Sequence, residues 1–157
     1  MSTALAAFVV PAASLAQTPE PIELWGGFTT DDTKAEIKAF KAKHPKKRIE
    51  ILPGCVAGMG YRQKNKRLVT IIFTGQDKEA DCHQRLLAQL MERPEEPEVD
   101  GTTFGSVIGD GMGGGIGTIT EGTVLIWRDG VKKTKLIKTP GNGYNLIYTV
   151  RDDKYLY

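Results

Sequence analysis

Two segments of the chain repeat apolar residues at the spacing of an amphipathic helix. The first predicts a helix over about residues 32–43, with Thr30-Asp31-Asp32 supplying its N-terminal cap and Pro45 after its end. The second predicts a helix over about residues 78–93. Each helix therefore has one apolar side to bury against another element. The apolar sides consist of Ile37 and Phe40 in the first helix and of Cys82, Leu86 and Leu90 in the second.

Six further segments alternate apolar and polar residues or are rich in β-branched and aromatic residues, which predicts strands. Three follow each helix, so the order is α-βββ-α-βββ. We therefore expect an α+β fold with two helices packed on one face of an antiparallel sheet. The repeated order raises the hypothesis of an internal duplication, although the two halves share little residue identity. The predicted strands are residues 48–52, 55–61, 68–73, 123–127, 132–138 and 144–150.

The first 17 residues carry no charge, and they contain a short apolar stretch followed by Ser14-Leu15-Ala16. This pattern is typical of a signal peptide with a peptidase site, although the usual positively charged start is missing. The alternative interpretation is an Ala-rich disordered tail. Residues 18–157 are long enough for one α+β domain, in which the Pro- and Gly-rich residues 94–118 are expected to form a flexible loop. No later segment has the roughly 20 apolar residues that a membrane span needs.

The chain contains two cysteines, Cys55 and Cys82. In an exported protein of this size two cysteines usually pair, so we predict a disulfide between the sheet and the second helix. Closing this loop would stabilise the fold by roughly 3–4 kcal/mol in the chain-entropy model. A metal site that adds His44 and His83 is a weaker alternative, because the spacing matches no common zinc pattern.

The net charge of +2 is too small to favour nucleic acid or an anionic membrane as the main partner. The charges are nevertheless uneven along the chain. Residues 46–48 and 62–67 are basic, and residues 92–100 are acidic. We interpret these runs as solvated turns. The alternative is a basic patch that binds an acidic partner.

The segment Gly109-Asp-Gly-Met-Gly-Gly114 matches the dinucleotide-binding pattern G-x-G-x-x-G. That motif needs a preceding parallel strand and a following helix, and here a β-prone run follows, so we predict no cofactor. No catalytic motif is present, and neither a catalytic nor a metal-binding set of residues is predicted. His44 or His83 as a general base remains the basis of an alternative enzymatic interpretation.

The candidate binding surface is a strip of aromatic residues on the C-terminal strands, together with the glycine loop. Aromatic residues on an exposed sheet face are common in protein and glycan contacts. Loops on a rigid scaffold also often carry function. The candidate residues are Trp127, Tyr144, Tyr148, Gly109 and Gly113.

The chain resembles small secreted bacterial proteins of unknown function in which a helix precedes a sheet. The residues that carry the resemblance are the run from Phe28 to Phe40, Cys55, residues 69–73, the second helix with Cys82, and Trp127. Met91-Glu-Arg-Pro94 stands where those proteins usually have Tyr-Gly-x-Pro. The helix-then-meander layout is also similar to β-lactamase-inhibitor-protein-like domains and to the small lipoprotein of the outer-membrane assembly machinery. The resemblance implies a binding scaffold rather than an enzyme.

We therefore predict a periplasmic or secreted non-enzymatic binding module, such as an inhibitor or immunity-like protein. Its partner would be another protein or an envelope component. The alternatives are a small secreted hydrolase, a nuclease or cell-wall enzyme that uses His44 or His83, and a structural component of the envelope.

Overall fold

The computed structural model describes residues 20–76, 81–100, 104–105, 119–120, 124–139, 141 and 143–150. The predicted signal peptide, residues 1–17, lies outside the described residues. Within them the fold is α+β, as predicted, with two α-helices and a large antiparallel sheet. The elements in chain order are β1 (Glu23–Trp25), β2 (Phe28–Thr29), α1 (Lys34–Ala42), a 3₁₀ turn (Pro45–Lys47), β3 (Arg48–Leu52), β4 (Cys55–Lys64), β5 (Arg67–Gln76), α2 (Cys82–Met91), β6 (Glu98–Asp100), β7 (Phe104–Gly105), β8 (Ile119–Thr120), β9 (Val124–Asp129), β10 (Lys132–Thr139) and β11 (Gly143–Val150).

Seven strands form one sheet in the order β3-β4-β5-β11-β10-β9-β6. The two predicted meanders, β3-β4-β5 and β9-β10-β11, are joined where β5 pairs with β11, with Ile72 opposite Ile147. The strand order is therefore symmetric about this junction. β6 departs from the prediction, because it lies in the segment predicted as a loop and pairs with β9 at the sheet edge. Its pairing places Glu98 in an ion pair with Arg128, which the local sequence pattern does not reveal.

The main core lies on one face of this sheet. The register places Met59, Phe73 and Leu146 in line across β4, β5 and β11, and all three side chains are buried. They belong to one apolar cluster with residues of β1, α1 and α2, so both helices cover this face. A smaller buried cluster of β9 and β10 residues lies on the opposite face. It consists of Val124, Ile126 and Ile137.

Helix α1 begins with a capping box. The Thr33 hydroxyl accepts a hydrogen bond from the Glu36 backbone N–H, and the Glu36 carboxylate accepts one from the Thr33 N–H. The helix runs beside β4, where the side chain of Gln63 donates to the backbone oxygen of Asp32, and that of Lys41 donates to the backbone oxygen of Met59. Helix α1 thus covers the part of β4 that extends beyond its pairing with β3.

Helix α2 crosses the same face of the sheet. The predicted disulfide is present at its N-terminus, where Cys55 and Cys82 are both buried and their Cα atoms lie 5.7 Å apart. Beyond its C-terminus, Arg93 Nη1 donates to Thr134 Oγ1 of β10 at 2.9 Å. The helix is therefore fixed at one end to β4 and held at the other against β10.

Candidate functional site

The predicted aromatic strip does not form an exposed surface. Trp127 and Tyr144 are each 1% exposed and Tyr148 is 9% exposed, because their face of the sheet lies under the helices. They contribute to the core, and only Tyr148 also reaches a pocket. The other two candidate residues, Gly109 and Gly113, lie outside the described residues.

The pocket lies between α2 and the covered face of the sheet and has a volume of about 310 Å³. On the helix side it is lined by the C-terminal half of α2 and by Arg93 just beyond it. Six of the eight lining residues are apolar or aromatic, but more of the surface that faces the space is polar than apolar. The lining residues are Trp25, Ile51, Leu86, Gln89, Leu90, Arg93, Leu146 and Tyr148.

Arg93 is the cationic group of this pocket. It follows Leu86 and Leu90 at helical spacing, so it extends the apolar side of α2 rather than its exposed side. Burial raises the pKa of the Tyr148 hydroxyl, while the positive charge of Arg93 acts in the opposite direction. The Arg93 charge is thus close enough to Tyr148 to influence its ionisation.

Sequence reasoning missed Arg93 as a site residue. The signal was present in the sequence, since a charged residue on the apolar side of an amphipathic helix is unusual. It was overlooked because the predicted helix ended at this residue.

A second feature is a concentration of positive charge at one edge of the molecule. Residues 34–48 and 62–67 contain eleven lysines and arginines but one acidic residue, a formal surplus of ten positive charges. Because the whole chain has a net charge of +2, all other residues together carry −8. We call residues 34–48 and 62–67 the basic surface.

The fold brings the two parts of the basic surface together. Helix α1 packs along β4, and Arg67 forms an ion pair with Asp31 just before the helix. The 3₁₀ turn then leads directly into β3, the edge strand of the sheet. Burial, and secondarily the charge of Lys47, lowers the pKa of Lys41, which is the direction expected where cations are crowded.

The turn before β3 has a strained backbone. Lys46 and Lys47 have φ angles of 52° and 55°, in the left-handed region that side chains other than glycine rarely adopt. Both side chains are exposed. This strain persists only because the elements on both sides, α1 and β3, fix the turn.

The two histidines lie in different parts of the fold. The His44 ring lies next to Phe40 at the end of α1, with their centroids 4.7 Å apart, whereas His83 lies in the first turn of α2. Among the residues that the structure describes, no group of three His, Cys, Asp or Glu side chains could hold a metal ion.

Comparison of this chain with protein-family models, curated proteins and solved structures gives no match. Within the described part of the chain, no helix has the length and hydropathy of a membrane span. The function must therefore be argued from the two features above, the basic surface and the pocket.

Proposed function

We propose that this protein is an exported, non-enzymatic binding module whose basic surface binds an acidic partner protein. One observation carries the proposal, namely the surplus of ten positive charges on residues 34–48 and 62–67 in a nearly neutral chain. The Cys55–Cys82 disulfide supports export, because structural disulfides persist in oxidising compartments.

The charges of the basic surface are available to a partner. Nine of its eleven cationic side chains are exposed, and the remaining two, Lys41 and Arg67, are partly buried. A single exposed ion pair contributes only about 0.2–1 kcal/mol, but a patch of one sign raises the association rate of an oppositely charged partner. The arrangement therefore favours rapid, salt-sensitive binding of an acidic surface.

The neighbouring edge strand favours a polypeptide over nucleic acid or lipid. β3 pairs only with β4, and no backbone hydrogen bond in the described residues joins its outer side to another element. An edge strand can add a strand from a partner through main-chain hydrogen bonds, which only another polypeptide provides. Lys46, Lys47 and Arg48 stand where such a strand would meet β3.

The test is charge reversal at the edge, in the triple variant Lys46→Glu, Lys47→Glu and Arg48→Glu. Binding of poly-L-glutamate, a short DNA duplex and phosphatidylglycerol vesicles would be measured at low and at physiological salt. We expect the variant to lose about tenfold or more in affinity for poly-L-glutamate, as three modest ion pairs imply.

The matched control is the triple variant Lys132→Glu, Lys135→Glu and Lys138→Glu in β10, which makes the same change in net charge. It should retain most of the binding to poly-L-glutamate. Equal losses in both variants would overturn the assigned surface, and tighter binding to DNA or vesicles would overturn the partner class. Hydrolysis of RNA or peptidoglycan that is lost on His44→Ala would favour the hydrolase alternative instead.

A further inference from the structure

We infer that the acidic partner of the basic surface is a second copy of this chain, whose edge strand β6 pairs with β3. The inference rests on the proposed function, because it uses the same basic surface, and it goes further by naming the partner. Three observations carry it: the opposite charges of the two sheet edges, the directions of the two strands, and the exposure of Val99.

The two edges of the seven-stranded sheet carry opposite charges. Residues 46–48 are all basic and lead into β3. Residues 92–100 lead into and include β6, and they contain five acidic residues and one arginine, a net formal charge of −4. Among the described residues, β3 pairs only with β4 and β6 only with β9, so one side of each strand is open to a partner.

The strand directions bring these two charged runs together. All neighbouring strands of the sheet are antiparallel, and β3 and β6 are its first and seventh strands, so they point the same way. A copy that continues the sheet in the same orientation therefore places its β6 parallel to β3 of the next copy. The chain then enters both strands at the same end, where residues 46–48 meet residues 95–98.

The exposed Val99 fits this pairing. Its side chain is 72% exposed, although the register places it in line with Leu125 on the core face of the sheet. The register that aligns residues 46–48 with residues 96–98 of the other copy places Val99 beside Ile49, which faces the same core. The contact therefore covers an apolar side chain that a single copy leaves in water.

Charge disfavours the other ways in which two copies can pair their edges. A twofold axis perpendicular to the sheet pairs β3 with β3 or β6 with β6, and both arrangements bring charges of the same sign together. Contact between unlike edges leaves a free β3 at one end of the assembly and a free β6 at the other, so it can continue beyond a dimer. Because β6 has three residues, each contact is small, and association should be weak and sensitive to salt.

Sedimentation equilibrium of the purified chain over a range of concentrations tests the inference. At low salt we expect the average mass to rise with concentration beyond that of a dimer. At high salt it should fall towards that of the monomer, because screening weakens contacts between exposed charges. An excess of poly-L-glutamate should also dissociate the assemblies, because it competes for the basic surface.

Two variants with like edges sharpen the test. The triple charge reversal at residues 46–48 makes both edges acidic, and the triple variant Glu92→Lys, Glu95→Lys and Glu96→Lys makes both edges basic. None of these six residues forms an ion pair within the described part of the chain, so neither variant breaks one. Each variant alone should need about tenfold or more higher concentration to associate. An equimolar mixture should associate as the wild type does, because every contact again joins unlike edges.

The triple variant of β10 described above is the matched control, and it should associate as the wild type does because both of its edges are unchanged. The inference is overturned if the wild type remains monomeric at low salt, or if either edge variant alone associates as readily as the wild type. It is also overturned if the two edge variants, shown to be folded by circular dichroism, do not associate when mixed.

Poly-L-glutamate separates failure of this inference from failure of the proposed function. The variant with Glu92, Glu95 and Glu96 reversed keeps the basic surface, so it should bind poly-L-glutamate at least as well as the wild type. A wild type that binds poly-L-glutamate through residues 46–48 but remains monomeric would overturn the self-association alone and leave the proposed function standing.

Discussion

Gly75 lies under the ring of Tyr144, on the neighbouring strand, and the replacement Gly75→Ala tests how closely the core is packed at this point. A Cβ atom at Gly75 would meet two atoms of the Tyr144 ring end, Cζ and Oη, at 2.2 Å. Ordinary van der Waals contacts begin near 3.4 Å. The methyl group therefore overlaps the ring by more than an ångström, and the ring is too deeply buried to turn away freely.

The expected cost follows from this overlap. Extra methyl groups in a well-packed core cost about 1–3 kcal/mol, because side chains and backbone must shift. A gain of roughly 0.5–1 kcal/mol from replacing glycine within a strand offsets part of this. Gly60 of β4 is the matched control, since its nearest neighbour beyond a new Cβ lies 3.9 Å away. We expect Gly60→Ala to be neutral or slightly stabilising, and Gly75→Ala to be less stable than it by about 2 kcal/mol.

Urea unfolding of the two variants under identical oxidising conditions measures this difference. Two more proteins, Tyr144→Ala alone and Tyr144→Ala combined with Gly75→Ala, complete a double-mutant cycle. In this background the alanine at position 75 should cost little, because the ring that it meets is absent. Equal stabilities of Gly75→Ala and Gly60→Ala, or an undiminished cost in the double variant, would refute the packing argument.

Three further predictions concern the disulfide, the cap of α1 and the buried tyrosine. Replacing Cys55 and Cys82 together with alanine should cost roughly 3–4 kcal/mol in urea unfolding without reductant, and the difference should largely disappear in dithiothreitol. Thr33→Ala should cost about 1 kcal/mol. Because hydrogen bonds from Thr33 lower the pKa of Glu36, that carboxylate stabilises the wild type above its unfolded pKa, and the contribution is lost as pH falls through the folded value. The variant keeps the larger effect, from the Thr33 backbone N–H, and removes that of the hydroxyl, so it should move the Glu36 pKa, followed by NMR titration, only part of the way back towards its ordinary value. Burial raises the pKa of Tyr148, because the folded protein favours the protonated hydroxyl. The contribution of this group to the free energy of unfolding should therefore be complete below about pH 10 and be lost as the pH rises above it. A phenolate absorbance titration compared with Tyr148→Phe checks this, and deprotonation at the ordinary pKa would contradict it.

The two helices and six of the strands, β3, β4, β5, β9, β10 and β11, follow from local patterns. The strand predicted at residues 68–73 is the centre of β5, because its β-branched and aromatic residues favour an extended backbone. The predicted start of α1 is too early, because the prediction places the cap within Thr30-Asp31-Asp32. Thr30 is fully buried, and its hydroxyl accepts from the Ile22 N–H, whereas the capping box T-x-x-E begins at Thr33.

The arrangement of the elements does not follow from local patterns. Alternation shows which residues share a face of one strand, but it does not show that β5 pairs with β11. For the same reason it left open which face of β9 and β11 is covered, and the predicted aromatic strip lies in the core. The short β6 has one apolar residue, Val99, which is itself 72% exposed, so no sequence pattern marks it as a strand.

The two candidate sites also depend partly on local sequence and partly on how the elements pack. The basic runs at residues 46–48 and 62–67 are visible in the sequence. That they form one surface with α1 depends on the packing of that helix along β4. The pocket depends on how α2 crosses the sheet, between the disulfide at one end and Arg93 at the other. Its lining residues come from β1, β3, α2 and β11, so no local segment contains it.

The central position of β11 constrains how the chain can acquire its structure during synthesis. A chain that emerges from its N-terminal end delivers β11 after every other described strand, yet β11 lies between β5 and β10. Until then both of those strands present unpaired edges, and the contacts that join them span long separations in sequence. Folding should therefore be slow and late, and the nascent chain should depend on a chaperone to keep its open edges from aggregating.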